Sequence, residues 1–456
     1  MKTICIKLGS KFLLLFLVFI LEGCGQIETP YKPNIILIMI DDLGYGDIGC
    51  YGSKINHTPH IDKLAKGGKL FSDYHSNGPM CSPTRAALMS GMYQYRLGEK
   101  FERAISGKTD YDNGMPKEVF TIAEMFKSAG YTTGMFGKWH LGYHPPFLPH
   151  DQGFDEFIGL AAGDGDHFNH IDRWGREDWW HNEKLEMENG YTADLITDHS
   201  IEFIKRNRDN PFFLYVSHLS IHFPWQGPSD PPHRTKGIDY TNDKWGIIPD
   251  KNNVSPHIKA MIESIDSGLG MIMKTLSSCG LEENTLVIFT SDNGGYSHYA
   301  DSHFNISSNR PLRGQKTEVY EGGHRVPFIA YWPGKIMAGS KSDEVIMTMD
   351  MFPTFTKLAG ASIPNEQQID GINILPQLYK NEKLSERIVC WKIGNEKAIR
   401  KGKWKLCMIG NNNPELFDLS IDIGETKNLA SNSPKVVKQL IDEYKQWEID
   451  VTANYD

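Results

Sequence analysis

The sequence predicts an α/β protein: a large, mostly parallel central sheet sandwiched by helices, followed by a small C-terminal antiparallel sheet plus helix. Three observations carry this expectation. Between Pro33 and Gly360 short apolar runs alternate with longer amphipathic segments, the pattern of strands each followed by a covering helix. After about residue 375 the texture changes to short alternating stretches such as Lys397 to Cys407, closed by an amphipathic segment from Pro434 to Ile449. A length of 456 residues, with 40% hydrophobic and 23% charged side chains, suits one large globular domain or two unequal ones. The expected division is 1–24 as an export signal, 31–374 as the main α/β domain and 375–456 as a smaller α+β subdomain.

In chain order, Lys2, Lys7 and Lys11 precede the apolar stretch Phe12 to Leu21, which is too short to span a bilayer comfortably and reads as an export signal. Leu21-Glu22-Gly23-Cys24 resembles a bacterial lipobox, with Glu22 unusual at its position; ordinary cleavage near Gly23 or Gly25 is the alternative. The expected location is the periplasm or outer membrane of a Gram-negative bacterium, with membrane attachment through a lipidated Cys24. Strands are expected at Asn34 to Ile40, Tyr131 to Phe136, Phe212 to Ser217, Leu286 to Thr290 and Val326 to Trp332, each rich in β-branched or aromatic residues. The clearest helix runs from Ile258 to Cys279, with apolar residues at helical spacing and Gly280 as its stop; a second covers Lys117 to Ala129. Gly163 to Asn189 and Trp225 to Pro256 are polar, Trp-rich and punctuated by Gly and Pro, so they read as loops laid over the sheet.

The net charge of −9 and the absence of Lys/Arg runs exclude a nucleic-acid binder, and a polyanionic substrate would need a locally basic pocket. Seven cysteines in so long a chain do not make a disulfide scaffold. Cys390 and Cys407 flank an expected hairpin and could pair in an oxidising compartment.

In an open parallel sheet, ligands bind beyond the carboxyl ends of the strands. The strand at 34–40 runs into Asp41-Asp42, that at 131–136 into Lys138 and His140, that at 212–217 into His218 and His222, and that at 286–290 into Asp292-Asn293. Singly, each has a plain structural explanation as a turn or a cap. Jointly, three carboxylates and an amide are a hard-oxygen set of the kind Ca²⁺ prefers, with Mg²⁺ second. Cys81-Ser82-Pro83-Thr84-Arg85 places a cysteine just ahead of a Pro-started helix that continues to Gly91, where free N–H groups and the dipole favour anions.

Cys-x-Pro-x-Arg is the signature of the sulfatase family, which this chain resembles over nearly all of its mature length. Supporting segments follow in the family's order: Gly137-Lys138-Trp139-His140-Leu141-Gly142, Gly153-Phe154-Asp155, Ser291-Asp292-Asn293-Gly294-Gly295, Leu312-Arg313-Gly314-Gln315-Lys316 and Glu321-Gly322-Gly323-His324-Arg325-Val326-Pro327. The resemblance implies that a maturation enzyme oxidises Cys81 to formylglycine, and that Asp41, Asp42, Asp292 and Asn293 hold Ca²⁺ in contact with that residue. One hydroxyl of the hydrated aldehyde attacks sulfur, and sulfate then leaves as the second is deprotonated. The resemblance further implies that Arg85 orients the formylglycine, that Lys138 and Lys316 pair with sulfate oxygens, that His140 is the base for the elimination, and that His222 protonates the leaving oxygen. Ile221 stands where the family usually has a proline before that histidine, which leaves His218 as a substitute.

Asp166, His167, His170 and Arg173, in a loop that also carries Trp174, Trp179 and Trp180, suit a sugar, with flat rings to stack on and polar groups to read hydroxyls. For any single Trp, plugging the loop onto the sheet explains it equally well. With His218 and His324 these are the candidate substrate contacts, and a sulfated carbohydrate is the expected substrate. Two rival readings are a phosphate or phosphonate ester hydrolase of the same superfamily, and a non-catalytic glycan-binding protein on the same scaffold.

Overall fold

The computed structural model describes residues 32–453 and 455. The export-signal and lipobox readings lie outside the described residues.

The largest sheet contains β1 (Asn34–Ile40), β2 (Lys69–Phe71), β3 (Thr132–Gly137), β4 (Glu156–Gly159), β5 (Trp180–His181), β6 (Lys184–Leu185), β7 (Phe212–His218), β8 (Thr285–Ser291), β9 (Phe328–Tyr331) and β10 (Ser340–Ser342). Their spatial order is β10-β2-β9-β8-β1-β7-β3-β4-β5-β6. The central block β8-β1-β7-β3-β4 is parallel throughout, with Ile38 of β1 opposite both Val216 and Phe289. β1 is buried on both faces, which explains its unbroken apolar run. Ile35, Leu37 and Met39 enter one core, and Ile36, Ile38 and Ile40 the other. The expected strand at 326–332 exists as β9 but pairs antiparallel with both β8 and β2, so the sheet is mixed towards its edges.

Helices α1 (Pro59–Gly67), α4 (Thr192–Arg206) and α5 (Ser255–Ser278) cover one face, and α2 (Cys81–Ser90), α3 (Ile122–Ser128) and α6 (Met351–Ala359) the other. α3 begins five residues later than the expected 117, because Thr121 and Glu124 form a reciprocal capping box: the Glu124 N–H donates to Thr121 Oγ1 at 3.2 Å, and the Thr121 N–H donates to Glu124 Oε2 at 2.7 Å. α2 takes Cys81 as its own first residue, with Pro83 inside the first turn, and stops at Gly91, whose φ of 71° is left-handed.

The second sheet is an antiparallel meander of β11 (Ile388–Ile393), β12 (Glu396–Lys401), β13 (Trp404–Ile409) and β14 (Glu415–Asp418). α7 (Pro434–Val451) packs Leu440 and Tyr444 on one face, against Cys390, Ile399, Leu406 and Leu416. The other face sends Val389, Trp391, Ala398, Cys407 and Phe417 against Tyr93 and Tyr95 of the main body. The pairing of Cys390 with Cys407 is therefore overturned. β12 lies between their strands and the two side chains point to opposite faces, whereas a disulfide needs Cα atoms within about 7 Å.

Candidate active site

The carboxyl ends of the central strands meet the N-terminus of α2. Residues following β1 supply Asp41 and Asp42, those following β8 Asp292 and Asn293, those following β3 Lys138 and His140, and those following β7 His222; α2 supplies Cys81 and Arg85. Lys316 arrives from the segment after β8. All ten are buried. Asp42 and His140 have left-handed backbones, with φ of 65° and 60°. Such geometry costs about 1 kcal/mol or more in a non-glycine residue and is characteristic of functional turns.

Arg85 donates from Nε (3.0 Å) and Nη2 (2.8 Å) to Asp292 Oδ2, and from Nη1 to the Lys138 carbonyl (2.9 Å) and Ser217 Oγ (2.6 Å). It is a fixed cross-brace between α2, β3, β7 and β8. Lys138 Nζ lies 2.5 Å from Asp41 Oδ2, and Lys316 Nζ 2.5 Å from Asp42 Oδ1, which also accepts from Asn293 Nδ2 at 2.7 Å. Burial works against the Lys316 charge, but Asp42 and the neighbouring acidic groups outweigh it and hold its pKa well above the usual lysine value.

His140 is held at both nitrogens. Nε2 lies 2.9 Å from the Ile105 carbonyl, to which it must donate, so Nδ1 presents its lone pair to Cys81 Sγ at 3.1 Å. Burial first, and then the charge of Lys138, drive its pKa well below the usual histidine value, so the ring is neutral. Gly163 packs flat on this ring: a methyl group there would sit 2.3 Å from His140 Nε2. His222 Nδ1 donates to the Phe223 carbonyl at 2.9 Å, leaving Nε2 facing Asp42 Oδ2 at 4.0 Å. Burial, Lys316 and Lys138 push its pKa down as well.

The residues fit a divalent cation. Asp41 Oδ1 and Asn293 Oδ1 are buried without a hydrogen-bond partner, and ligand atoms of Asp41, Cys81 and Asp292 lie within 4.8 Å of one another. Burial and the Asp292 charge push Asp41 well above the usual carboxylate range, a repulsion that a shared cation relieves. The all-oxygen carboxylate and amide set is the kind that calcium and magnesium accept.

Cys81, His140, His222 and Lys316 lie at the base of a cleft of about 230 Å³. Its walls include Tyr143, Trp174, Phe223, Tyr296 and Tyr299, together with Asp164 and Arg173. His222 rather than His218 reaches this cleft. His218 is buried near His167. His167 stacks on Tyr191 next to the His222 backbone, and His170 stacks on Trp179 with ring centroids 4.3 Å apart. Asp166 is a buried staple joining two loops: it accepts from the backbone N–H groups of Phe168, Asn169, His233 and Arg234. His324 lies elsewhere, stacked on Trp391 and with Nδ1 3.0 Å from His75 Nδ1. Of the expected sugar contacts, the structure thus brings Arg173 to the cleft, while Asp166, His167, His170, His218 and His324 are interior. Sequence reasoning missed Tyr143, Tyr296, Tyr299 and the Ile105 carbonyl. Tyr296 carried a signal, since it directly follows Asp292-Asn293-Gly294-Gly295.

A cysteine at a helix N-terminus, facing strand-end carboxylates, fixed cations and a neutral histidine, defines a hydrolase of anionic esters. The model of the family described as Sulfatase matches residues 33–361, and one described as N-sulphoglucosamine sulphohydrolase, C-terminal, matches residues 315–450. The chain is 32% identical to N-acetylgalactosamine-6-sulfatase of Canis lupus familiaris, over 91% of this chain and 79% of that protein. It is 30% identical to N-acetylgalactosamine-6-O-sulfatase of Bacteroides thetaiotaomicron, over 92% of this chain and 95% of that one. Among solved structures, Ps i-CgsB in complex with k-i-k-neocarrahexaose superposes with a TM-score of 0.80 at 30% identity, covering 91% of this chain and 92% of that chain. The chain belongs to the sulfatase family of the alkaline phosphatase superfamily and is a sulfuric ester hydrolase.

Proposed function

We propose that the protein removes sulfate from carbohydrate sulfate monoesters, using a nucleophile made by oxidation of Cys81 to formylglycine. The observation that carries this reading is the placement of Cys81 Sγ at the start of α2, 3.1 Å from the unprotonated nitrogen of a neutral His140 and beside the Asp41/Asp292 pair. The sulfated sugars in the names of relatives and the aromatic walls of the cleft support a glycan substrate.

The hydrated aldehyde supplies the attacking oxygen. A divalent cation, Ca²⁺ in preference to Mg²⁺, supplies charge stabilisation and would be held by Asp41, Asp42, Asp292 and Asn293. Residue 81 itself would add an oxygen ligand once oxidised. Lys138 and Lys316 bind sulfate oxygens as point charges. Arg85 holds the α2 N-terminus in register with Asp292. His140 accepts a proton at Nδ1 from the residue-81 hydroxyl as sulfate departs, and the Ile105 carbonyl steadies the imidazolium that results. His222 delivers a proton from Nε2 to the leaving sugar oxygen. Burial first, and then the Lys316 and Lys138 charges, lower the His222 pKa in the free protein; the incoming sulfate offsets the two charges, which favours that proton. The export signal and the Cys24 lipobox accord with a substrate met outside the cytoplasm, and a formylglycine-generating enzyme is the required partner.

The test is free sulfate release from a panel of sulfated mono- and oligosaccharides, with protein co-expressed with a formylglycine-generating enzyme and a Cys81→Ala control. Release that the control abolishes is the expected result. No release despite verified aldehyde at position 81 overturns the reading in favour of phosphate or phosphonate esters.

A further inference from the structure

Beyond His222 there is more positive charge than the chemistry uses: Arg173 on the cleft wall, and Lys244 against the wall residues Phe223 and Tyr299. The Phe223 ring lies 4.0 Å from that of His222, centroid to centroid. On its other contacts it meets the Arg173 guanidinium at 5.0 Å and the Lys244 ammonium at 5.3 Å. Arg173 shares Asp164 with the fully buried Arg234, at 2.9 and 3.0 Å, so a single carboxylate faces two guanidiniums. The Asp164–Arg234 pair ties the two loops together, and Arg234 also donates to the Lys244 carbonyl at 3.2 Å within its own loop. Lys244 Nζ has an aromatic cradle, lying 4.7 Å from the Trp245 ring and 4.8 Å from that of Tyr299. It donates to the Tyr299 hydroxyl at 3.1 Å, and no carboxylate among the described residues pairs with it.

We infer that Arg173 and Lys244 form a second anion subsite, one aromatic ring away from the leaving oxygen, that receives a sulfate or carboxylate carried elsewhere on the same glycan. The inference rests on the sulfated-carbohydrate reading above and narrows it to substrates with at least two anionic groups. A half-buried ammonium on aromatic faces is partly stripped of water while its charge is not neutralised. Arg173, near the same Phe223 ring, has Nε and Nη2 on Asp164 and keeps Nη1 for an oxyanion.

Calorimetric binding to calcium-loaded Cys81→Ala protein tests this without turnover. The probes are a neutral disaccharide carrying one sulfate, the same disaccharide with a second sulfate, and a disaccharide carrying one sulfate and one uronate carboxylate. At least one dianion is expected to bind about tenfold more tightly than the monoanion, and Lys244→Gln is expected to remove most of that gap. The dianion that shows the gap identifies the group recognised. Equal binding of all three probes, or a gap that Lys244→Gln leaves intact in protein of unchanged thermal stability, overturns the subsite. Sulfate release from all three sugars by mature enzyme is read separately. Failure on every one of them removes the sulfatase-on-sugar reading, whereas loss of the binding gap removes only the subsite.

Discussion

Nδ1 of His140 lies 3.1 Å from Sγ of Cys81, while the other nitrogen of the ring is committed to a backbone carbonyl. One tautomer therefore faces residue 81, and it is the one that can accept a proton. His140→Ala is expected to lower kcat by about 10² to 10⁴, the usual worth of a positioned acid-base group, with a much smaller change in KM. Sulfate release by protein with verified formylglycine content measures it; an unchanged kcat would assign the proton to another group.

The Ser82 hydroxyl holds this arrangement from behind. It donates to the His140 carbonyl at 3.0 Å and accepts from the Ile105 N–H at 3.2 Å, fixing both the base and the residue whose carbonyl sets its tautomer. Ser82→Ala is expected to reduce kcat about tenfold, the rate equivalent of ~1.4 kcal/mol, at nearly constant KM. A loss confined to melting temperature, with kcat intact, would reduce Ser82 to a structural hydroxyl.

Ligand atoms of Asp41 and Asp292 lie within 4.8 Å of each other and of Cys81 Sγ, Asp42 adds its charge to Asp41, and one carboxylate and one amide oxygen, Asp41 Oδ1 and Asn293 Oδ1, are left unpaired. Calcium is expected to raise the melting temperature, and to do so more than equimolar magnesium. Excess calcium at about 100 times its dissociation constant would stabilise the fold by ~2.7 kcal/mol. Chelation should abolish sulfate release and lower the melting temperature together, whereas a melting curve indifferent to both ions would exclude the site.

Much of this was legible in the sequence for local reasons. β1, β7 and β8 are nearly uniform apolar runs, because both of their faces are covered, and the chemistry sits in the residues directly after them. Cys81 and Arg85 belong to one short motif. α3 starts later than its apolar pattern suggests because Thr121 and Glu124 form a capping box, a pair that stands in the sequence. The Ile105 carbonyl had no signal at all, since every residue has a carbonyl and only the fold brings this one to His140. Asp166, His167 and His170 drew attention as polar groups in an aromatic loop. The loop buries them by turning Asp166 onto backbone N–H groups and stacking the rings, which composition does not reveal.

Cys390 and Cys407 are both fully buried on opposite faces of the C-terminal sheet, and burial pushes both thiols well above the usual cysteine value. They are expected to stay reduced even in an oxidising compartment. Alkylation in denaturant without reductant should label both, as read by peptide mass. A Cys390–Cys407 cross-linked peptide would contradict the strand register.

Acid should loosen the attachment of the C-terminal sheet through Asp73. Arg400, on β12, grips this buried carboxylate with Nη1 on Oδ1 and Nη2 on Oδ2, both at 2.7 Å, and Arg325 adds a contact at 3.3 Å. Desolvation alone would raise the Asp73 pKa, but the Arg325 and Arg400 charges outweigh it and hold the carboxyl below the usual carboxylate range. A folded-state pKa depressed below the unfolded value of about 3.9 gives stability that is fully present above that pH. That stability is lost as pH falls through the folded-state value. Stability from this contact should thus be flat from neutral pH down to about 4 and fall below it. Asp73→Asn leaves two buried guanidiniums short of their counter-charge and is expected to cost about 3–5 kcal/mol at neutral pH. The variant should also lose part of the wild type's steep acid dependence. Denaturant titrations of both proteins between pH 3 and 7 measure the two effects, and parallel stability curves would show that Asp73 is not the group whose protonation releases the sheet.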